Sequence, residues 1–360
     1  MLYLTSIRGI AAFLVVLYHI KFYLNQYEFS DQVSWLYNKG YLAVDFFFIL
    51  SGFIIAYNYQ KLFSDRISKS DLTPFLIKRF ARIFPLHAFV MLCFCLVPLA
   101  FFVTGKPINS IYSIENFIIK LLLLDAWLLG TDFWNTWNIS SWTISSEFFA
   151  YLCFPVLAFY ISKVKNNQYY LLLVLFAVIA FLYEITGARS LGDNIGTLAL
   201  FRCLLEFSCG ICLYNIYKNQ PKLDQSLAKW LFTLTSLILA LLLIYIEANH
   251  FYIPICFSIM FFSLLNFKSK LHKFLEHKSL VYLGEISYSM YLNHAFILII
   301  YIMLFLDDAK TASPIDIILY ITFTFLMSIF TYHKVEVPMR KLINKHALKN
   351  THGRTGDISQ

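Results

Sequence analysis

At 360 residues, 59% hydrophobic, 19% aromatic and only 14% charged, the chain is too apolar to be a soluble domain of its length. Apolar runs of about 18 residues or more recur along it, so an all-α polytopic bundle in a lipid bilayer is predicted over residues 1–340, followed by a basic, unstructured tail over 341–360. The net charge of +8 invites a nucleic-acid reading, which the placement of the basic residues, given below, excludes.

The first apolar run, 7–24, carries Arg8 near its start and His19 near its end. Arg8 leads into it with no small-residue cleavage site, so the segment is expected to stay as a helix rather than act as a removable leader. Eleven residues turn a helix by about 1100° and raise it by about 16 Å, which sets both side chains on one face. The second run, 40–59, brings Asp45 about one turn in from the opposite side. KRFARIFP, residues 78–85, leads into the third run, 80–103, and spaces Arg79 and Arg82 three apart, as neighbours on a helix. With Arg8 they form either a fork suited to phosphate oxygens or plain topological anchors. ENFIIKLLLLDAWLLGTD, around 115–132, is apolar but holds Lys120 and Asp125, and is read as a re-entrant or interfacial helix. The fourth run, 143–162, places Glu147 about one turn below the surface. Runs at 169–187, 198–217, 229–246, 251–266, 284–306 and 315–335 complete ten expected spans. Arg202 and Glu206, four apart in the sixth, are expected to neutralise each other. Tyr288, Tyr291 and His294 recur at intervals of three in the ninth, as a cavity wall or a packed aromatic stripe.

Charge orients the whole. With the N-terminus inside, only Lys21, Lys39, Lys106, Lys120, Arg189 and Lys310 of the 29 basic residues fall in outer segments. Were 115–132 to cross, every later basic loop would flip outward and the bias would collapse. Both termini are therefore expected in the cytoplasm. No metal constellation stands out, and CGIC at 209–212, inside a span, is read as packing.

Ionisable groups inside a span are costly and mark functional candidates. His19, Asp45 and Glu147 reach a similar depth from three helices, and a carboxylate beside a histidine fixes its tautomer and raises its basicity.

These stretches together resemble the acyltransferase-3 family of integral membrane acyltransferases. The similarity rests on Arg8 and His19 with ten residues between; on Gly40, Val44, Asp45, Phe47, Phe48, Ser51, Gly52 and Phe53; on Arg79, Arg82, Ile83 and Pro85; on Trp142, Glu147, Tyr151 and Pro155; on Gly284 and Ser287 to His294; and on Glu336, Pro338 and Arg340. Ala43 stands for the usual second glycine and Thr143 for the usual serine, and both keep a small residue or a hydroxyl. The resemblance implies a bacterial inner-membrane O-acyltransferase that takes an acyl group, most commonly acetyl, from cytoplasmic acetyl-CoA or another acyl-CoA. The acceptor it implies is a hydroxyl of a surface or lipid-linked glycan, such as O-antigen or another lipopolysaccharide-type polysaccharide. Larger members append an esterase-like domain, which is not expected in this chain. Under that reading Arg8, Arg79 and Arg82 hold the donor phosphates, His19 is the general base or an acyl carrier, and Asp45 or Glu147 orients it. Ser51, Tyr288, Tyr291 and His294 are expected to contact substrate. Trp127, Trp134 and Trp137 either stack on sugars or anchor the outer loop. The rival readings are a transporter or flippase of a lipid-linked glycan, and a scaffold without chemistry.

Overall fold

The structure is a computed structural model that describes residues 1–24, 26, 34–35, 37–105, 107–188, 190–245, 250–306 and 312–353. Four basic residues used above to orient the chain, Lys106, Arg189, Lys310 and Arg354, lie outside the described residues. All regular elements among the described residues are helical.

The helices follow the apolar runs because a chain in hydrocarbon must satisfy every backbone group internally. They are α1 (Leu2–His19), α2 (Ala43–Phe63), α3 (Lys69–Phe94), α4 (Leu96–Val103), α5 (Ile114–Leu121), α6 (Ser141–Lys163), α7 (Gln168–Ile185) and α8 (Ile195–Asn219). Then come α9 (Gln225–Tyr245), α10 (Ile253–Asn266), α11 (Lys270–Leu275), α12 (Lys278–Glu285), α13 (Ser287–Phe305), α14 (Pro314–Thr331) and α15 (Val337–Gly353). Counting α3 with α4 and α14 with α15 as continuous, nine described helices are long and apolar enough to cross a membrane. The chain is a multi-pass membrane protein. The eighth expected span, 251–266, is present as α10, whose 14 residues rise only about 21 Å against a hydrocarbon core of about 30 Å.

The 115–132 segment does not cross. Its helix, α5, has eight residues and ends on Leu123 in the left-handed conformation at φ 58°. Burial of that leucine offsets the strain of a position that usually takes glycine. The segment then folds against the bundle, where Lys120 and Asp125 form a buried ion pair at 2.8 Å.

Two close approaches build the centre. Gly52 of α2 and Gly210 of α8 face each other's helix so tightly that a Cβ on either would strike backbone carbonyls. Gly9 of α1 and Gly284 of α12 make the second seam, where a Cβ on Gly9 would lie 2.6 Å from the Gly284 nitrogen. Only glycine permits that contact, and it carries the Gly284 carbonyl up to α1.

One expectation fails at the C-terminal end. Residues 341–353, read as unstructured tail, continue α15, while 354–360 lie outside the described residues. A five-residue π turn, Tyr332–Glu336, joins α14 to α15, so the basic segment extends a spanning helix rather than starting anew.

Candidate active site

A cavity of about 260 Å³ opens among α1, α2, α3, α6 and α13. Three arginines reach it from two helices. Arg8 donates through Nε to Ser287 Oγ at 2.9 Å and through Nη2 to the Gly284 carbonyl at 2.7 Å, the carbonyl that the glycine seam brings close. Arg79 donates to the Tyr59 hydroxyl at 3.0 Å and lies over that ring. Arg82 is ion-paired with the buried Glu336, which also accepts from Ser289 at 2.9 Å and has Arg340 3.7 Å away. The three residues expected to share a phosphate fork thus line one cavity, although Arg82 spends part of its charge on Glu336.

The same cavity holds a cluster of hydroxyls around one carboxylate. Glu147 Oε1 accepts from Ser51 Oγ at 2.5 Å and from the Tyr151 hydroxyl at 2.6 Å. Tyr288 lies beneath Arg82 and donates to the Ile83 carbonyl at 2.7 Å. Val44, Phe47, Thr143 and Tyr291 also line the cavity, with Thr143 Oγ1 and the Tyr291 hydroxyl 2.9 Å apart. Ser51, Tyr288 and Tyr291 are therefore cavity residues, as expected of substrate contacts.

His19 is not part of the lining. Its Nδ1 lies 2.8 Å from the Val15 carbonyl and 3.2 Å from Nε2 of His294, with the two ring centroids 4.5 Å apart. Tyr291 links the cavity to the histidine pair: it lines the cavity, and its ring centre is 5.7 Å from that of His294.

Neither carboxylate expected to orient His19 does so. Asp45 is fully buried and is engaged by Arg202 at 2.6 and 2.7 Å. Glu206, expected as the main partner of Arg202, is the looser one at 3.8 Å. The correction has a plain cause: a guanidinium matches a carboxylate with two parallel bonds, and burial in the bundle gives each charge every reason to take its best partner. Glu147 is held in the cavity by Ser51 and Tyr151 instead. His294, expected at the substrate, contacts His19 rather than the cavity. Its signal in the sequence was the three-residue spacing with Tyr288 and Tyr291 and its place in the Ser287–His294 stretch. Trp127 donates its indole N–H to the Ser145 carbonyl on α6 and Trp137 to the Ser113 carbonyl, which holds both rings in place, and the side chain of Trp134 lies outside what the structure describes.

Comparison with known proteins now decides the family. Residues 1–333 match the family described as an acyltransferase domain. The chain belongs to the acyltransferase-3 family. It is similar to the O-acetyltransferase OatA of Staphylococcus aureus (strain NCTC 8325 / PS 47), 26% identical over 94% of this chain and 57% of the relative. It is also similar to the acyltransferase MdmB of Streptomyces mycarofaciens, 32% identical over 42% of this chain and 38% of that protein. A third similarity, to protein 2 in the picA locus of Rhizobium radiobacter, is 36% identity over 29% of this chain and 49% of the relative. In each case the match spans less than two thirds of the relative's own length. No solved structure matches the chain.

Proposed function

We propose that this membrane acyltransferase is an O-acyltransferase that moves an acyl group, acetyl in the first instance, from cytoplasmic acetyl-CoA to a hydroxyl of a surface or lipid-linked glycan. The observation that carries the reading is the cavity into which Arg8, Arg79 and Arg82 project from two helices, inside a chain of this family. Three guanidiniums face one lining carboxylate, Glu147, with Glu336 behind Arg82, so the cavity favours a polyanion. Its volume, about 260 Å³, is at the small end for a ligand pocket and suits a narrow pantetheine arm, with the nucleotide phosphates held at the arginine mouth. Ser51, Tyr151 and Glu147 then offer the arm a polar wall.

In this reading the N-terminus faces the cytoplasm of a bacterial inner membrane, and the thioester reaches His19 when Tyr291 swings away from Thr143. The acceptor hydroxyl gives its proton to Nε2 of His19 as its oxygen forms the bond to the thioester carbon. The carbon–sulfur bond breaks, and the departing thiolate takes the proton back from the imidazolium. The Val15 carbonyl can only accept a hydrogen bond, so it holds the proton of neutral His19 on Nδ1 and leaves the Nε2 lone pair for this task. The test is His19→Ala: acyl transfer to surface glycan, read as one acyl mass by mass spectrometry, is abolished while acetyl-CoA still binds the purified protein. Near-normal acylation by this variant overturns the reading.

A further inference from the structure

His19 needs a group to hold its ring, and the two carboxylates suited to that are engaged elsewhere. What meets Nδ1 instead is a second imidazole. His294, on α13, is fully buried, with Nε2 3.2 Å from His19 Nδ1 and 3.2 Å from Ser140 Oγ. Since the Nδ1 of His19 carries a proton, Nε2 of His294 faces it as a lone pair, and the Ser140 hydroxyl is the second donor to that lone pair.

We propose that His294 is the positioning residue for His19, and that the outer segment sets it through Ser140. The inference rests on the reading of His19 as the base. When His19 Nε2 takes the acceptor proton, the positive charge that forms shares its Nδ1–H between the Val15 carbonyl and the His294 lone pair. A fixed acceptor at that point stabilises the imidazolium and stops the ring from flipping, so the proton received is returned to the leaving sulfur from the same nitrogen.

Ser140 does not sit at His294 by chance of packing. Its backbone N–H donates to Asn138 Oδ1 at 3.1 Å, and Asn138 Nδ2 donates to the Leu292 carbonyl on α13 at 3.2 Å. Lys120 Nζ donates at 3.2 Å to the Asn138 carbonyl while paired with Asp125. The buried ion pair of the outer segment thus pins the loop that presents Ser140. All these groups are buried, and a hydrogen-bonded network in a buried setting restricts the geometry of its members.

The experiment uses membrane vesicles from cells that express the full chain, supplied with radiolabelled acetyl-CoA, and follows initial transfer to the endogenous glycan. His294→Phe keeps the ring volume and suits an apolar bundle, but removes the acceptor. His294→Gln keeps an acceptor near the position of Nε2. We expect kcat to fall at least tenfold in His294→Phe and to stay within about threefold of wild type in His294→Gln, with KM for acetyl-CoA unchanged in both. Ser140→Ala is expected to lower kcat a few-fold and Ser140→Thr to restore it. Equal rates for the Phe and Gln variants, or a Gln variant slower than Phe, overturn the proposal, whether or not the Phe variant folds. Absence of transfer in the wild type overturns the underlying functional reading instead, so the two failures are distinguishable.

Discussion

Two arginine clusters lie inside this bundle, and they are built to opposite plans. Arg202 is enclosed by Asp45 and Glu206, two acidic side chains for one guanidinium, and does not line the cavity. Arg8, Arg79 and Arg82 line the cavity with one carboxylate among them, and two of the three donate to hydroxyls and a carbonyl rather than to a counter-charge. A buried charge is therefore not itself a mark of function in this protein. The proposed site lies where positive charge is left in excess beside space, whereas the enclosed charge ties helices together.

The largest effect is expected at the enclosed cluster. Arg202→Met strands two acidic groups in the bundle, a loss of about 3–5 kcal/mol, and the folded protein is expected to disappear from size-exclusion profiles in detergent. Adding Asp45→Asn and Glu206→Gln to it restores much of the folded peak. If Arg202→Met folds normally and weakens acetyl-CoA binding, the division between the clusters is broken. Arg8→Ala comes next, because it removes a cation from the cavity without stranding a carboxylate. It is expected to fold, and to bind acetyl-CoA roughly 10- to 100-fold more weakly by titration calorimetry, the equivalent of one hydrogen bond to a charged group. An unchanged affinity would make Arg8 only a tie between α1 and the Gly284 seam. The smallest effect is at the partition. Tyr291→Phe loses the bond to Thr143, and opening should become easier by the roughly 2- to 10-fold that a neutral hydrogen bond is worth. Transfer is expected to rise modestly with KM unchanged; a fall in rate would give that hydroxyl a part in the chemistry.

Much of this architecture is legible in the chain. Apolar runs give the spanning helices, and the balance of basic loops identifies 115–132 as a segment that turns back, which α5 and the Lys120–Asp125 pair bear out. Spacing also brings Arg79 and Arg82 to one helix face beside Arg8. The errors have a common origin. Hydropathy assigns each residue a depth and leaves its azimuth free, so groups at one depth look like partners. His19, Asp45 and Glu147, expected at one level, take separate partners. The pairs that matter join residues far apart in sequence: Asp45 with Arg202, Arg82 with Glu336, His19 with His294. Local spacing favoured Glu206 for Arg202 because i, i+4 is the one partner a helix displays in sequence. The helical start of the tail was missed for a similar reason, since composition reports what a segment can cross and not where its hydrogen bonds stop.

The π turn before α15 has a consequence for all that follows it. A turn with i to i+5 bonding inserts about one residue relative to α-helical winding, which changes the angular phase of everything downstream by about 100°. Upstream, α14 shows much of its apolar surface outward, with Ile315, Ile318, Leu326 and Phe330 exposed. At the last residue of the wide turn, Glu336 points inward to Arg82 and Ser289. A single continuous rod can thereby show one azimuth to lipid before the turn and another to the cavity arginines where the turn closes.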